Sequence, residues 1–574
     1  MNKLGFRLNA LFSLVLTLGI TGLANETPVK RTSPAAQRFD VSLTAWGPTQ
    51  ADVDAAKARL EESGAVKAEL RGSKYRLLSF EYVGNTNGTK NGLATVPTRF
   101  RATFYNYSSD TAIIAEGDFQ GREPITAVRG YFDPGVSAEE LSAAFDIIRS
   151  DSRFAGNGKV PLAAAMPPVS NINGERLVNV RVLESNEIVG VSFKNPRVVR
   201  YPDNAPPAAR ASPEACGISD AGQDTTSAGT HPGQYQLTAN LQGSPLWEML
   251  VIRPNVSSGA SFERSGIEIR DVRYKGKSVL KRGHAPILNV KYVAGFGCGP
   301  YRDWQYQEGF FAIPSTGVTF PGGADGGFAL LPDGQSATTA VESRNDTGNF
   351  RGVAIYQQVV NGVNEIVLVT EMEAGWYRYI MEWRFGADGV IRPRYGFGST
   401  TSSCVCVQRD HHVYWRLDFD VVTPTNRIFQ VERGRKFMKP VTSEATIFRN
   451  YGLNRGFIVQ SSTGNEAYSI FPGSNDGSVA DASGNFTDTF GAGDFWLMQF
   501  KGTAGSPTEI DDPNSGTVVA TLSPFINAES LINQDVVIWY AAHQRRVDDA
   551  SRPGTPEIIS GTHVVGPEIR PIQW

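Results

Sequence analysis

The stretch from Val367 to Asp420 constrains this chain more than any other. It reads VLVTEMEAGWYRYIMEWRFGADGVIRPRYGFGS, then a turn with Cys404 and Cys406, then RDHHVYWRLDFD. Apolar and polar side chains alternate around Trp376, Arg378, Ile380 and Glu382, which is the two-residue period of a strand. Ala387-Asp388-Gly389 has turn chemistry, so the first part is predicted to be a hairpin. His411 and His412 open the last part. There Tyr414, Arg416, Asp418 and Asp420 share one strand face, and Val413, Trp415, Leu417 and Phe419 the other.

The rest of the chain agrees with a mainly β protein. Its 574 residues allow roughly three or four domains. Gly and Pro are abundant, at 59 and 33, and the apolar runs are short and β-branched. A net charge of −3 without a long charged run argues against a nucleic-acid partner. At the N-terminus, Lys3 and Arg7 precede an apolar run from Ala10 to Leu18, and Gly22-Leu23-Ala24 suits signal peptidase. Residues 1–24 therefore read as a signal peptide, and the mature protein as exported, periplasmic or extracellular. No later stretch reaches about 18 uninterrupted apolar residues, so no membrane partner is expected. Export permits disulfides. Cys216, Cys298, Cys404 and Cys406 allow three pairings, with Cys216–Cys298 preferred.

Organisation follows from caps and periods. Thr49 caps a predicted helix with Asp52 at its third position; Val53, Ala56 and Leu60 line one face and Gly64 ends it. Strands follow, giving a small α+β unit over 39–122. The pattern repeats over 131–202, where Ser137 and Glu140 form a capping box and Val136 and Leu141 a hydrophobic staple. Each helix is expected to pack on its own small sheet. Residues 203–233, rich in Ala, Pro, Ser and Gly, read as a linker, and 234–574 as strands and turns with no strong helix.

The central stretch resembles the catalytic core of the copper amine oxidases. In that family a T-x-x-N-Y-[DE] strand carries the tyrosine that becomes topaquinone, and an H-x-H strand then runs into R-L-D-x-D. The matching residues are Tyr377 in Gly375-Trp376-Tyr377-Arg378-Tyr379 and the strand from Arg409 to Asp418. Further weak matches fall in family order: Gly299-Pro300-Tyr301-Arg302-Asp303, Gln307-Glu308-Gly309-Phe310-Phe311, and Asn533 to Tyr540. The resemblance covers roughly 39–574. It implies two small cystatin-like α+β domains before a large antiparallel β-sandwich, and a homodimer. It also implies oxidation of small primary amines to aldehyde, ammonia and hydrogen peroxide.

The resemblance assigns roles residue by residue. Tyr377 is the cofactor tyrosine, Tyr301 a hydroxyl that positions its ring, and Asp418 with Asp420 a calcium site. Alternate strand positions hold copper in the family, and here they carry Arg409 and His411; His412 is adjacent, and a bulge would turn both His inward. The third ligand falls on Arg546 without gaps, or on His543 with a shortened turn. The base position falls on Gln307, which leaves neighbouring Glu308 as the carboxylate candidate. Trp376 and Arg378 stand where the family has Asn and an acidic residue.

These departures give the alternatives. One is an exported, catalytically inactive relative acting as a binding or structural protein, with Tyr377 an ordinary tyrosine. Another is an enzyme with a remodelled metal site using His411, His412, His543 and the Cys404–Cys406 turn, since thiolate and imidazole suit zinc or copper. If a metal site survives, Tyr377, His411 and His543 should converge.

Overall fold

The computed structural model describes residues 38–83, 96–130, 134–154, 162–164, 169–170, 174–182, 187–201, 216–219, 221, 233–257, 264–292, 301–321, 327–343, 345–406, 408–477, 488, 493–501, 522–546 and 564–574. The expected signal peptide and most of the expected linker lie outside them.

Two small α+β units stand as the sequence suggested. In the first, the helix Gln50–Glu62 starts at Thr49, whose hydroxyl accepts from the Asp52 amide while the Asp52 carboxylate returns to the Thr49 amide. Gly64 does not end the helical stretch; Ser63 caps one helix and opens the next, Gly64–Leu70. Val53, Ala56, Leu60, Val66 and Leu70 pack on Phe100, Phe104 and Ile113 of a four-stranded sheet. In the second unit, Leu141, Ala144, Phe145 and Ile148 of helix Ala138–Ser150 pack on Val178, Val180, Val189 and Val191 of a five-stranded sheet.

Two local expectations change. The strand Phe39–Ala45, expected to open the first unit, pairs with Gln234–Leu241 in the large domain. The capping box at Ser137 is half made. Its hydroxyl accepts from the Glu140 amide at 3.0 Å. The Glu140 carboxylate instead meets Arg176 at 2.8 and 2.9 Å and accepts from the Tyr107 hydroxyl at 2.7 Å. A buried guanidinium needs a charged partner more than a helix end needs a second cap.

The large domain is a β-sandwich of mostly antiparallel strands, joined into one 20-stranded path. One layer contains Lys277–Tyr292, then Arg409–Phe419 (the histidine strand), then Gln534–Arg546, side by side. The other contains Val363–Ala374, then Tyr377–Gly386 (the tyrosine strand), then Ile391–Ser399. The layers join where Asn426 and Gln534 pair. Between them lies a continuous apolar core that includes Trp247, Ile269, Leu288, Val367, Trp383, Phe397, Trp415 and Ile538.

One disulfide is corrected. Cys216 pairs with Cys406 rather than Cys298, and Cys404 is also disulfide-bonded. Cys298 lies outside the described residues. Committed to disulfides, the Cys404–Cys406 turn offers no thiolate to a metal. The backbone explains the pairing: Cys216 lies beside Ser402 in an isolated bridge, at the start of that turn.

Candidate functional site

Tyr377 follows a two-residue turn, Gly375–Trp376, between Ala374 and its own strand, and Gly375 takes φ +60° there. The tight turn sets Tyr377 at the strand's first position, buried between the layers. Its ring stacks on Tyr379 at 5.2 Å, and the edge of His411 from the opposite layer comes to 5.0 Å. The hydroxyl that meets Tyr377 belongs to Tyr292, which also accepts from Trp376 Nε1 at 3.2 Å. Tyr301, assigned that role by resemblance, lies in a short strand with its backbone opposite Val290. Burial pushes the Tyr377 hydroxyl up to about 12, against the pull of the Arg409 charge.

The substituted positions carry structure. Arg378 forms a buried, two-pronged ion pair with Asp346, at 2.5 and 2.8 Å, and donates to the Tyr377 carbonyl at 3.1 Å. Arg409 is buried, with its guanidinium carbon 5.8 Å from the Tyr377 ring centre, and it donates to the Val405 carbonyl. Val405 belongs to the disulfide-bonded turn, so Arg409 is held in place rather than swung aside. Gln307 accepts from Trp304 Nε1 at 2.6 Å.

The expected convergence of three residues fails at one. Tyr377 and His411 meet, and His411 also stacks on Phe397 at 4.4 Å. His543 is elsewhere. The pairing of the histidine strand with Gln534–Arg546 runs without a bulge, placing His412 opposite His543 and His411 opposite Gln544. Adjacent strand residues face opposite ways, so His412 and His543 share the face turned from Tyr377. Their Nδ1 atoms lie 2.7 Å apart, and His543 Nε2 lies 3.3 Å from Asp494 Oδ1. Burial would raise the Asp494 carboxyl, but the neighbouring His543 ring and the Arg449 guanidinium and amide bring it down to about 2.

Copper on the family's positions can be tested against these side chains. It needs neutral imidazoles on one face. Among the described residues only His411 supplies one beside Tyr377, and the alternate position holds the Arg409 guanidinium, which stays protonated. The backbone of Arg546 lies opposite Arg409. This donor set does not fit a three-imidazole copper centre.

The base candidate moves too. Glu308 is buried against Arg253, which donates from Nε to Oε1 at 2.8 Å and from Nη2 to Oε2. Both oxygens are engaged, so Glu308 is a structural ion. The carboxyl near the tyrosines is Asp303, which accepts from the Tyr379 hydroxyl. Burial raises it to about 7, although the Tyr379 hydrogen bond works the other way. The segment Pro300-Tyr301-Arg302-Asp303 pointed to this place in the sequence, but nothing local showed that Asp303 would be enclosed. At the far end of the histidine strand, Asp418 and Asp420 are joined by Asp535, with one oxygen from each within 4.8 Å of the others. Arg416 reaches the same cluster, 3.5 Å from Asp418.

As a sequence, the chain matches no model of a known protein family and no curated protein. As a structure, it is similar to the copper-containing benzylamine oxidase of Hansenula polymorpha, with TM-score 0.54 and 12% identity over 94% of each chain. It is similar to the lysyl oxidase of Pichia pastoris, with TM-score 0.56 and 11% identity over 95% of this chain and 92% of that one. The amine oxidase of Aspergillus nidulans gives TM-score 0.50 and 13% identity over 95% and 90%. Two small α+β units, a sandwich with a central tyrosine strand, and end-to-end likeness at this low identity show that the chain has the fold of the copper amine oxidases, in a strongly divergent form.

Proposed function

We propose that this chain is an exported, homodimeric protein of the copper amine oxidase fold. It does not form the quinone cofactor, Tyr377 stays an ordinary tyrosine, and the protein acts by binding or as a structural component. One observation carries this reading: a held guanidinium, Arg409, stands over Tyr377 at the position of a copper imidazole. Two unit charges 4 Å apart repel by about 4 kcal/mol at an effective dielectric near 20, and a divalent ion doubles that. On either side of Tyr377 in the chain, the indole of Trp376 and the Asp346-paired guanidinium of Arg378 replace the amide and the acidic residue of the family. Calcium at Asp418, Asp420 and Asp535 is a separate part of the proposal, since clustered carboxylate oxygens suit a hard cation.

The second reading is oxidation of small primary amines to aldehyde, ammonia and peroxide. It is favoured by Asp303, a buried carboxyl near neutral pKa hydrogen-bonded beside the Tyr377 stack. One experiment separates the two. The purified chain is loaded aerobically with copper and treated with phenylhydrazine, and peroxide release is followed with simple primary amines. The expected result is no visible adduct and no amine-dependent peroxide. A strong adduct lost in Tyr377→Phe, with peroxide release lost in the same variant, would establish the oxidase reading instead.

A further inference from the structure

We propose that His412 and His543 form a binding site for a divalent transition-metal ion of the zinc or copper type, with Asp494 as a positioning residue. The site lies on the face of the histidine strand turned from Tyr377, and does not depend on the function proposed above.

The strand pairing makes the site. His412 and His543 are direct cross-strand partners in an unbroken antiparallel ladder, so their side chains leave the same face side by side. The two Nδ1 atoms are 2.7 Å apart, a distance at which one proton lies between them. Asp494 decides which ring carries it. The Asp494 carboxylate faces His543 Nε2 at 3.3 Å, and its other oxygen accepts from the Arg449 amide at 2.6 Å. A carboxylate so fixed favours the His543 tautomer with its proton on Nε2, which leaves the Nδ1 lone pair pointing at His412. A carboxylate behind one ring nitrogen, with the other nitrogen aimed at a shared point, is the arrangement that orients metal-bound histidines.

An ion entering here takes the place of the shared proton. The proton on His412 Nδ1 is exchanged for one on Nε2 of the same ring, so that the imidazole stays neutral with its lone pair on Nδ1; two Nδ1–metal bonds form, and nothing is oxidised or reduced. Two nitrogens at about 2.0–2.1 Å from a tetrahedral ion are about 3.3 Å apart. The rings therefore need to part by about 0.6 Å, within the reach of side-chain rotation. Among the described residues, no third His, Cys or carboxylate ligand atom lies within 4.8 Å of both nitrogens. The described residues thus supply two imidazoles. Asp488 stands on the same face, held by the Tyr414 hydroxyl and by Asn289 Nδ2 at 3.0 Å. Nitrogen donors separate this site from the all-oxygen cluster of Asp418, Asp420 and Asp535, which favours hard ions.

The test uses the full chain, stripped with chelator and kept in excess calcium so that the carboxylate cluster is filled. Zinc binding is followed by calorimetry, and copper(II) by electron paramagnetic resonance. One zinc per chain is expected. His412→Ala and His543→Ala should each weaken binding at least tenfold, Asp494→Asn by about tenfold, and His411→Ala should leave it unchanged. In the unmutated chain, which requires no variant to fold, copper(II) should show splitting from two nitrogens. An oxygen-only copper spectrum, binding unaltered by His412→Ala, binding lost with His411→Ala, or no zinc binding would each overturn the proposal.

Discussion

On the inward face of the histidine strand, Arg409 and His411 stand against Tyr377, Tyr379 and Phe397. On the outward face, one residue along, His412 stands against His543, which Asp494 holds. The inward face is where the resemblance puts the cofactor tyrosine and the copper, yet its charge is fixed and its rings are packed. The outward face is turned from Tyr377, yet it holds the paired imidazoles, one of them the His543 that the resemblance offered as a third copper ligand. A strand's two faces are built from alternating residues and meet different layers, so one can drift into packing while the other gathers polar groups.

The comparison breaks most sharply at the ion pair beneath the tyrosine strand. Arg378 and Asp346 are both fully buried. Asp346→Ala should cost about 3 kcal/mol by removing the two-pronged partner of the enclosed guanidinium and leaving it only Glu373, 3.5 Å away. Chemical denaturation measures it. A loss near zero would mean that Arg378 is not structural, and would reopen a functional role beside Tyr377.

Restoring an imidazole sharpens the comparison next. Arg409→His removes a fixed charge from beside Tyr377 and gives His411 an alternate-position partner. Copper affinity at the inward face should rise about a hundredfold or more, given the repulsion removed. Copper titration against His412→Ala and His412→Ala/Arg409→His separates the faces. An unchanged affinity would show that Arg409 is not what excludes copper.

Two buried carboxyls, one on each side of the tyrosine strand, should also limit stability as pH rises. Burial raises Asp303 to about 7 and Glu371 to about 8, from ordinary values of 3.8 and 4.5. Both are raised in the folded state, so the native chain holds more protons than the unfolded one between those values. Their contribution to stability is full below about pH 4 and is lost as pH rises through about 7 and 8. The melting temperature should therefore fall across that range, and Asp303→Asn should flatten the fall. Asp494, lowered to about 2, acts oppositely and costs stability only in strong acid. A flat profile between pH 5 and 9 would contradict the enclosure of Asp303.

The smallest effect tests the Tyr292 hydroxyl. Tyr292→Phe removes the partner of Tyr377 and of the Trp376 indole, and should cost about 1 kcal/mol. No loss of stability would show that the Tyr292 hydroxyl does not hold the pair.

Much of the frame was legible in local sequence. Thr49 with Asp52 and Ser137 before Glu140 marked helix starts because a cap is made within a few residues. The period of residues 409–419 placed Arg409 and His411 on one face and His412 on the other, because a strand's alternation is its own property. Ala387-Asp388-Gly389 marked the turn at the far end of the tyrosine strand, whereas the Gly375–Trp376 turn that sets Tyr377 appeared only in the structure, because the alternation runs on through Trp376. What each side chain meets was not legible. His412 meets His543 across 131 positions of chain, Arg253 meets Glu308 across 55, and Cys216 meets Cys406 across 190. Glu140 read as a cap and serves Arg176 instead. Asp303 read as part of a weak motif, and its raised pKa comes only from enclosure by residues brought from other strands. Alternation, caps and turns are set by neighbours along the chain, so the sequence alone determined which way each residue faces. Pairing, burial and charge are set by neighbours in space, and only the register of strands far apart in the chain decided those.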